Sequence, residues 1–331
     1  MTPRRAAVAA LVATVLVSHT SAYLKFGTQV DARTVTLQWP NLPIRYFVTD
    51  RGAPGVDASQ FRAAVDRAFA TWQDLPSSTV RFEFVGFTGA NPFDEEGMTT
   101  IGFEDRPDLE RVLGATSILL DEETGAIVEA GILINTNFPW SVSPSGEAGR
   151  FDLESIALHE IGHLAGLGHS ALGETELRPG GGRRVIASDA VMFPIAFGPG
   201  TITGRILRPD DIAGISDVYP DGDFRTRTGT ISGHVTKGGA GVLGAHVVAF
   251  DPSTGALVGN FSLDQQGTFS VAGLGPGLHI VRVEPLDDVD EDDILSDTAD
   301  VDSDFTVTYG DRVALVPRGG NSSVDIKVEP K

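Results

Sequence analysis

Residues 159–169 read HEIGHLAGLGH, and the fold has to present the side chains of this stretch to one point. Positions i and i+4 of an α-helix lie on one face, so His159 and His163 aim their rings at the same place. Gly166 can adopt a positive φ without steric cost, so the helix can end there and the chain can bring His169 round. Three imidazole ligands leave the fourth position of a zinc ion open, which indicates a catalytic rather than a structural site.

The residue after the first histidine completes this pattern. Glu160 is not needed as a ligand, and it can reach a water at the open position as general base. Of the six histidines that follow residue 22, three fall in this window, which argues against a helix with incidental surface histidines. His234, His246 and His279 stand alone in the sequence and are predicted to be ordinary strand or loop residues. We therefore expect one catalytic zinc ion per chain.

The sequence around the motif has mixed periodicity. Phe61, Val65, Phe69 and Trp72 recur at helical spacing, which predicts a helix over about 58–74. Asp57 and Gln60 are placed to form its capping box. A second helix is predicted to begin near residue 152 and to carry the histidines. Strands are predicted at 44–48, 80–84, 99–103, 117–120 and 127–134. The fold class is α+β, with the first helix on a mostly antiparallel sheet.

The beginning of the chain is typical of an export signal. Arg4 and Arg5 precede the apolar run 6–17, and residues 20–22 (TSA) offer a cleavage site. We therefore predict a signal peptide over 1–22, a secreted protein, and a short N-terminal segment over 23–39 that is a candidate pro-segment. No later run reaches the ~20 apolar residues of a membrane helix, so no membrane anchor is expected.

Charge and cysteine content exclude several classes of protein. The formal net charge is −20, which disfavours nucleic acid as a partner because that affinity comes from Lys and Arg on phosphates. The chain contains no cysteine, which excludes disulfides, thiolate ligands and a cysteine nucleophile. With 331 residues, about two domains are expected.

The composition changes after residue 220. From residue 228 onward, β-branched residues are interrupted by glycine-rich turns every 8–12 residues, which predicts a small all-β sandwich over 228–331. Residues 221–227 are the predicted linker, and 40–220 the first domain. The aspartate-rich run 287–304 is either a flexible solvated loop or a calcium site, so Ca²⁺ is a second candidate ion.

Features beyond the histidines resemble the matrixin branch of the metzincin zinc peptidases, over about residues 40–220. Ser170 follows the third histidine, SDAVMFP stands at 188–194, and LRPDDIAGI stands at 207–215 like the final helix of matrixin catalytic domains. The resemblance implies a mixed sheet with an edge strand at 127–135, and a Met-turn in which Met192 lies beneath the zinc. It also implies that Pro194 and Phe197 form part of the wall of the pocket that receives the side chain after the scissile bond.

Three departures from matrix metalloproteinases matter. No histidine lies between His19 and His159, so their second, structural zinc is predicted to be missing. The cysteine that keeps those enzymes latent is absent, and by resemblance to bacterial matrixins Asp31 is a candidate latency ligand, or else one solvated acid among many. Residues 171–187 lengthen the link to the Met-turn and are predicted to be a neutral surface insertion.

The C-terminal part resembles carboxypeptidase regulatory-like domains at Gly267–Phe269 (GTF) and at 273–277 (GLGPG). The whole pattern predicts a secreted zinc endopeptidase that acts on proteins or peptides, with an unknown partner for the C-terminal domain. Two alternatives are a zinc-holding binding protein without activity, and adhesion or glycan binding through the β-domain. Every candidate catalytic residue precedes the linker, so the sequence predicts that the first domain is active without the second.

Overall fold

The computed structural model describes residues 25–30, 33–93, 97–121, 123–179, 182–289, 294–295 and 301–331. The predicted signal peptide and Asp31 lie outside these residues. The helices and strands of the N-terminal part are, in chain order, β1 (Gly27–Val30), β2 (Arg33–Thr36), β3 (Ile44–Thr49), α1 (Ala58–Gln73), β4 (Phe82–Thr88), β5 (Thr100–Glu104), β6 (Gly114–Leu120), β7 (Ile127–Asn135), β8 (Trp140–Ser141), β9 (Phe151–Asp152), α2 (Leu153–Leu164), β10 (Gly173–Leu177), β11 (Arg183–Ser188), a 3₁₀ turn (Thr203–Arg205) and α3 (Pro209–Val218).

Five of these strands form a mixed sheet in the order β4-β3-β5-β7-β6. The pairings β3–β4, β3–β5 and β5–β7 are parallel, and only β6–β7 is antiparallel. The prediction of a mostly antiparallel sheet is therefore wrong. Helix α1 joins β3 to β4 as a crossover, and a crossover of this kind is what parallel neighbours require. Residues 127–135 form β7, so the edge strand next to the histidine helix is β6 rather than the strand that the resemblance indicated.

Helix α1 is positioned by its cap and by its apolar stripe. The Asp57 carboxylate accepts hydrogen bonds from the amides of Ser59 and Gln60, both at 2.9 Å, and the Gln60 side chain accepts from the Asp57 amide at 3.0 Å. The predicted capping box is thus confirmed. The four predicted stripe residues are buried, together with side chains from β3, β5 and β7. Trp72 also donates its indole N–H to the carbonyl of Leu158 at 2.9 Å, which ties α1 to the histidine helix.

Helix α2 carries the first two histidines across the same core. Its N-cap Asp152 accepts from the Ser155 amide at 3.0 Å, and Arg205 pairs with the Asp152 carboxylate at 2.5 Å. Leu153, Ala157 and other apolar residues of the helix are buried against the core, so one face of α2 is fixed. The helix ends before Gly166, where φ is +99°.

The C-terminal part begins after a short helix, α4 (Phe224–Arg227), and consists of strands. They are β12 (Gly229–Lys237), β13 (Ala240–Gly241), β14 (His246–Phe250), β15 (Leu257–Phe261), β16 (Thr268–Leu274), β17 (Gly277–Glu284), β18 (Thr308–Tyr309), β19 (Ala314–Val316), β20 (Asn321–Ser323) and β21 (Ile326–Val328). One sheet contains β13, β12 and β16 with β20 and β21, and the other contains β15, β14, β17 and β18 with β19. Residues of both sheets share one apolar core. We call residues 229–331 the β-unit.

The link between His169 and Met192 differs from the predicted neutral insertion. It forms the antiparallel hairpin β10–β11. The Thr175 amide donates to the Asp288 carboxylate at 2.9 Å, and Arg183 donates to the carbonyl of Asp287 at 3.0 Å. The hairpin is therefore attached to the β-unit at the start of the aspartate-rich run. Part of that run lies outside the described residues, and calcium binding there stays a prediction.

Within the described ranges, none of the helices combines the length and apolar character that a membrane crossing would need.

Candidate metal centre

The structure brings the three histidines of the motif together. Nε2 of His163 lies 3.1 Å from Nε2 of His159 and 3.1 Å from Nε2 of His169. His163 is buried, and the other two are half-buried. Among the described residues, this is the one group of three or more His, Cys, Asp or Glu side chains that could hold a metal ion.

Backbone carbonyls orient two of the rings. Nδ1 of His159 lies 2.7 Å from the carbonyl oxygen of Val191, and Nδ1 of His163 lies 2.8 Å from that of Leu167. A carbonyl only accepts, so each Nδ1 carries the proton and each Nε2 presents a lone pair. Lone pairs that face one another repel unless a cation lies between them. A tetrahedral zinc with Zn–N bonds of about 2.0–2.1 Å separates its nitrogen ligands by about 3.3 Å, so this donor set fits zinc.

The surroundings favour the neutral form of His159 and His163, which metal binding requires. Burial lowers the pKa of His159. Burial, and then the charges that His169 and His159 could carry, lower the pKa of His163 well below its ordinary value.

Glu160 lies against the edge strand β6. The Thr116 hydroxyl donates to the Glu160 carboxylate at 2.7 Å. A Cβ on Gly114 would lie 2.9 Å from the other carboxylate oxygen, so the missing side chain at this position makes room for the carboxylate. Burial raises the pKa of Glu160 to about 7, and the hydrogen bond from Thr116 opposes that rise. The carboxylate is thus held on one side by a single hydroxyl.

Met192 lies directly beneath α2. Its side chain is buried, and a Cβ on Gly162 would collide with its sulfur, so the glycine between the two helical histidines allows this close packing. The Asp211 carboxylate accepts from the amides of Val191 at 2.9 Å and Met192 at 3.1 Å. The same turn supplies the carbonyl that orients His159. Asp211 of α3 therefore fixes the turn whose Val191 carbonyl orients His159.

The third histidine is on a loop, and other contacts fix that loop. The amide of Ser170 donates to the carbonyl of Met192 at 2.8 Å. The Ser170 hydroxyl donates to the Asp210 carboxylate at 2.7 Å. At the helix end, a Cβ on Gly166 would lie 2.5 Å from the carbonyl oxygen of Leu37, so only glycine fits both the positive φ and the space. The Phe26 ring stacks on the His163 ring at 5.5 Å.

The remaining predicted residues are less closely tied to the histidines. Pro194 and Phe197 are half-buried in the segment that follows Met192, and their part in a substrate pocket stays a prediction. Asp31 lies outside the described residues, so its latency role also stays a prediction. His246 and His279 are buried in the β-unit, and His234 is exposed beside Asp325.

Sequence reasoning missed four residues that shape this centre: Gly114, Thr116, Gly162 and Asp210. Gly114 and Thr116 come from strand β6, in which Thr116 precedes Glu160 by 44 residues, and nothing in their own sequence marks them. A glycine inside a helical pattern, such as Gly162, is a detectable signal of close packing. Asp210 stood next to Asp211 in a recognisable segment, but its partners lie elsewhere in the fold.

Comparisons with known proteins agree with this geometry. The matrixin family model matches residues 38–179. Metalloendoproteinase 5-MMP of Arabidopsis thaliana is 43% identical over 75 residues, which cover 22% of this chain and 16% of that protein. Metalloendoproteinase 2-MMP of the same plant is 30% identical over 132 residues, covering 36% and 31%. Metalloendoproteinase 1 of Glycine max is 41% identical over 78 residues, covering 24% and 20%.

These matches are partial, since the chain spans at most 31% of the length of these relatives. A solved structure, the Bacillus anthracis TIE protein, aligns with a TM-score of 0.19 and 14% identity over 31% of this chain and 17% of that one, too low to bear on the fold. The family match, over residues 38–179, includes the three histidines. Residues 38–179 of this chain are therefore similar to the matrixin family of peptidases.

Proposed function

We propose that this chain is a secreted, zinc-dependent endopeptidase that hydrolyses peptide bonds of proteins or peptides. His159, His163 and His169 are the proposed ligands of one zinc ion, and Glu160 is the proposed general base. One observation carries the proposal: Nε2 of His163 lies 3.1 Å from Nε2 of both other histidines, and the buried Glu160 lies on the helix that carries the first two. The zinc-holding protein without activity is disfavoured because Glu160, which only catalysis needs, is retained.

Zinc held by these three histidines would lower the pKa of a coordinated water to about 7 and would polarise the scissile carbonyl. The Glu160 carboxylate takes a proton from the attacking water and later delivers it to the departing amine nitrogen. Thr116 donates to one oxygen of this carboxylate, and the other oxygen lies beside Gly114. Met192 supports the histidines from below without contributing a ligand.

The sheet supports an extended substrate beside this site. Among the described strands, β6 pairs only with β7, so its outer edge is available for an added strand. Peptides commonly bind exposed sheet edges in this way, with main-chain hydrogen bonds supplying affinity. Thr116 of β6 contacts Glu160, so a peptide along this edge would pass the proposed base. By family resemblance, Pro194 and Phe197 favour an apolar side chain after the scissile bond.

Replacing the base tests the proposal most directly. Glu160→Ala should keep one zinc per chain, because the three histidines remain, and should lose about 10²–10⁴-fold in kcat on a peptide. Glu83→Ala is the matched control, since Glu83 is exposed on β4 at the opposite edge of the sheet. Metal analysis and single-peptide kinetics give both readouts. Peptidase activity of Glu160→Ala within about twofold of the control would exclude Glu160 as the base.

We also propose roles for the N-terminal segments and for the β-unit. Residues 1–22 are the proposed signal peptide and 23–39 the proposed pro-segment, with Asp31 as candidate latency ligand. The β-unit is proposed to be a sandwich of the carboxypeptidase regulatory-like type, because its two sheets share one core. Sequencing the N-terminus of the exported protein would test the proposed cleavage after residue 22.

A further inference from the structure

The segment that delivers His169 and Met192 lies between two bodies, the helical core on one side and the β-unit on the other. Two apolar clusters cross this boundary. The first joins Ala171 and Phe193 of the segment to β-unit residues that include Phe261, Leu263 and Leu286. The second joins Leu172 and Ala190 to Val248. Side chains of the segment and of the Met-turn are therefore buried in contact with the β-unit.

A buried carboxylate links the β-unit to the loop of the third histidine. One oxygen of Asp210 accepts from the Ser170 hydroxyl at 2.7 Å, and the other accepts from the Gly259 amide at 2.9 Å. Asp210 is only 6% exposed. Gly259 is on β15, the edge strand of its sheet, so its amide N–H can point away from the sheet and donate to Asp210 of α3. One aspartate thus joins the residue after His169 to the edge of the β-unit.

The β10–β11 hairpin attaches the same segment at a second place. Thr175 donates through its amide and its hydroxyl to Asp288, at 2.9 and 2.7 Å, and Arg183 donates to the carbonyl of Asp287. The segment from His169 to Met192 is therefore held by the β-unit at its start, along the hairpin and at its end.

Such contacts matter more for His169 than for the other two histidines. A helix fixes the spacing of ligands at i and i+4, but a loop ligand is only as well placed as the contacts around it. Groups outside the ligand set that orient it commonly contribute 10–100-fold to metal affinity. Among the described contacts, Ser170 is the nearest polar group along the chain that ties the loop to other elements, and its acceptor Asp210 is shared with the β-unit.

We infer that the β-unit stabilises the zinc site by positioning the His169 loop through Gly259, Asp210 and Ser170. The inference rests on the proposed zinc site and extends it: Asp210 and Gly259 are positioning residues, and the β-unit is part of the catalytic unit. It differs from the sequence-based expectation that the first domain is active without the second, which stays a prediction. Because coupling between two sites is reciprocal, zinc binding must in turn tighten the contact between α3 and β15.

The reciprocal effect can be measured in the unaltered full chain. Hydrogen–deuterium exchange is compared for the zinc-loaded protein and for the protein freed of zinc by a chelator. Removal of zinc should speed exchange in Leu257–Phe261, which contacts α3, and leave Ile326–Val328 unchanged as internal control, because that strand pairs with β12 in the other sheet. Identical exchange of Leu257–Phe261 in the two states would overturn the inference.

A variant pair tests the forward effect. A Cβ on Gly259 would lie 2.6 Å from Nε2 of His246. His246 cannot easily yield, since it is buried, bonded to Glu284 at 2.9 Å and stacked on Phe261 at 5.0 Å. Gly259→Ala should therefore displace β15 and disturb the hydrogen bond from the Gly259 amide to Asp210. Gly275→Ala is the matched control in the same unit, because a Cβ there meets nothing within 4 Å.

The readout is the zinc dissociation constant from competition with a chelator, which needs no turnover. Gly259→Ala should raise it about 10-fold, and Gly275→Ala should leave it at the parent value. Equal dissociation constants for the two variants would overturn the inference even if both cleave peptides. Tight zinc binding without any peptidase activity would instead contradict the proposed function and leave the inference standing. If Gly259→Ala does not fold, the exchange measurement on the unaltered chain decides.

Discussion

The two helical histidines and the loop histidine differ in what holds them. His159 and His163 are fixed by the geometry of α2 and by carbonyls close to them, and the helix packs on a core that belongs to the N-terminal part. His169 follows a glycine turn, and its neighbour Ser170 is bonded to α3, which contacts the β-unit. The comparison teaches that one metal site can combine ligands placed by local periodicity with a ligand placed by distant contacts.

The largest effect on this comparison should come from removing the ligands themselves. Both His163→Ala and His169→Ala should abolish stoichiometric zinc binding, as measured by metal analysis. Their metal-free forms should differ, because His163 is buried, stacked on Phe26 and bonded to Leu167, whereas His169 is half-buried. Thermal unfolding in chelator should therefore show a lower Tm for His163→Ala than for His169→Ala. Equal Tm values would remove the distinction between helical and loop ligands.

The turn between the two kinds of ligand should give the next largest effect. Gly166→Ala meets both an unfavourable positive φ and the Leu37 carbonyl at 2.5 Å, so it should cost about 1–3 kcal/mol of stability and displace His169. Gly149→Ala is the control, since Gly149 has φ +79° but open space around its Cβ position. Denaturant unfolding and zinc affinity should both separate the two variants. A zinc affinity that falls equally in both would show that His169 does not depend on this turn.

Removing the Thr116 hydroxyl that bonds to Glu160 tests the surroundings of the histidine helix without changing a zinc ligand. Thr116→Val keeps the shape of the side chain and removes the donor, so kcat should fall about 10-fold with KM unchanged. Thr116→Ser should retain kcat because it restores the donor. Ser117→Ala, at the next position of the same strand, is the control for loss of a hydroxyl from β6. A fall in kcat for Ser117→Ala as large as the fall for Thr116→Val would exclude a specific role for Thr116.

The smallest effect concerns the pH dependence of stability. Burial, and then the charge of Asp211, raise the pKa of Asp210 to about 7, whereas an unfolded aspartate titrates near pH 3.8. The folded state therefore favours the protonated form, and this contribution to stability is complete below about pH 4 and is lost as the pH rises towards 7. Asp210→Asn stays neutral and keeps groups that can bond to Ser170 and Gly259.

The Tm of Asp210→Asn relative to the parent should accordingly increase between pH 4 and pH 7, with both proteins measured in chelator. Asp251→Asn is a control of opposite sign, because hydrogen bonds, first from Ser253, lower the pKa of Asp251. A Tm difference for Asp210→Asn that does not change over this range would show that the carboxylate is charged throughout.

Much of the catalytic part could be predicted from its sequence because its information is local. The capping box at Asp57 and Gln60, the buried stripe of α1, the strands predicted at 117–120 and 127–134, and the helix that carries His159 and His163 depend on residues only a few positions apart. The direction of the β3–β4, β3–β5 and β5–β7 pairings was predicted wrongly, because periodicity reveals that a strand has one buried face but not which neighbour it joins.

By itself, the sequence determined the identity and spacing of the three histidines, the base beside them, and the glycine that lets the chain turn back. Only the tertiary structure decided which groups surround them: Thr116 of the edge strand at Glu160, Asp211 at the Met-turn, and the path from Ser170 through Asp210 to Gly259. The physical reason is the separation along the sequence over which each interaction acts. Helical geometry acts over four residues, whereas a buried hydrogen bond or apolar contact can join groups 49 residues apart, and no local pattern specifies its partner.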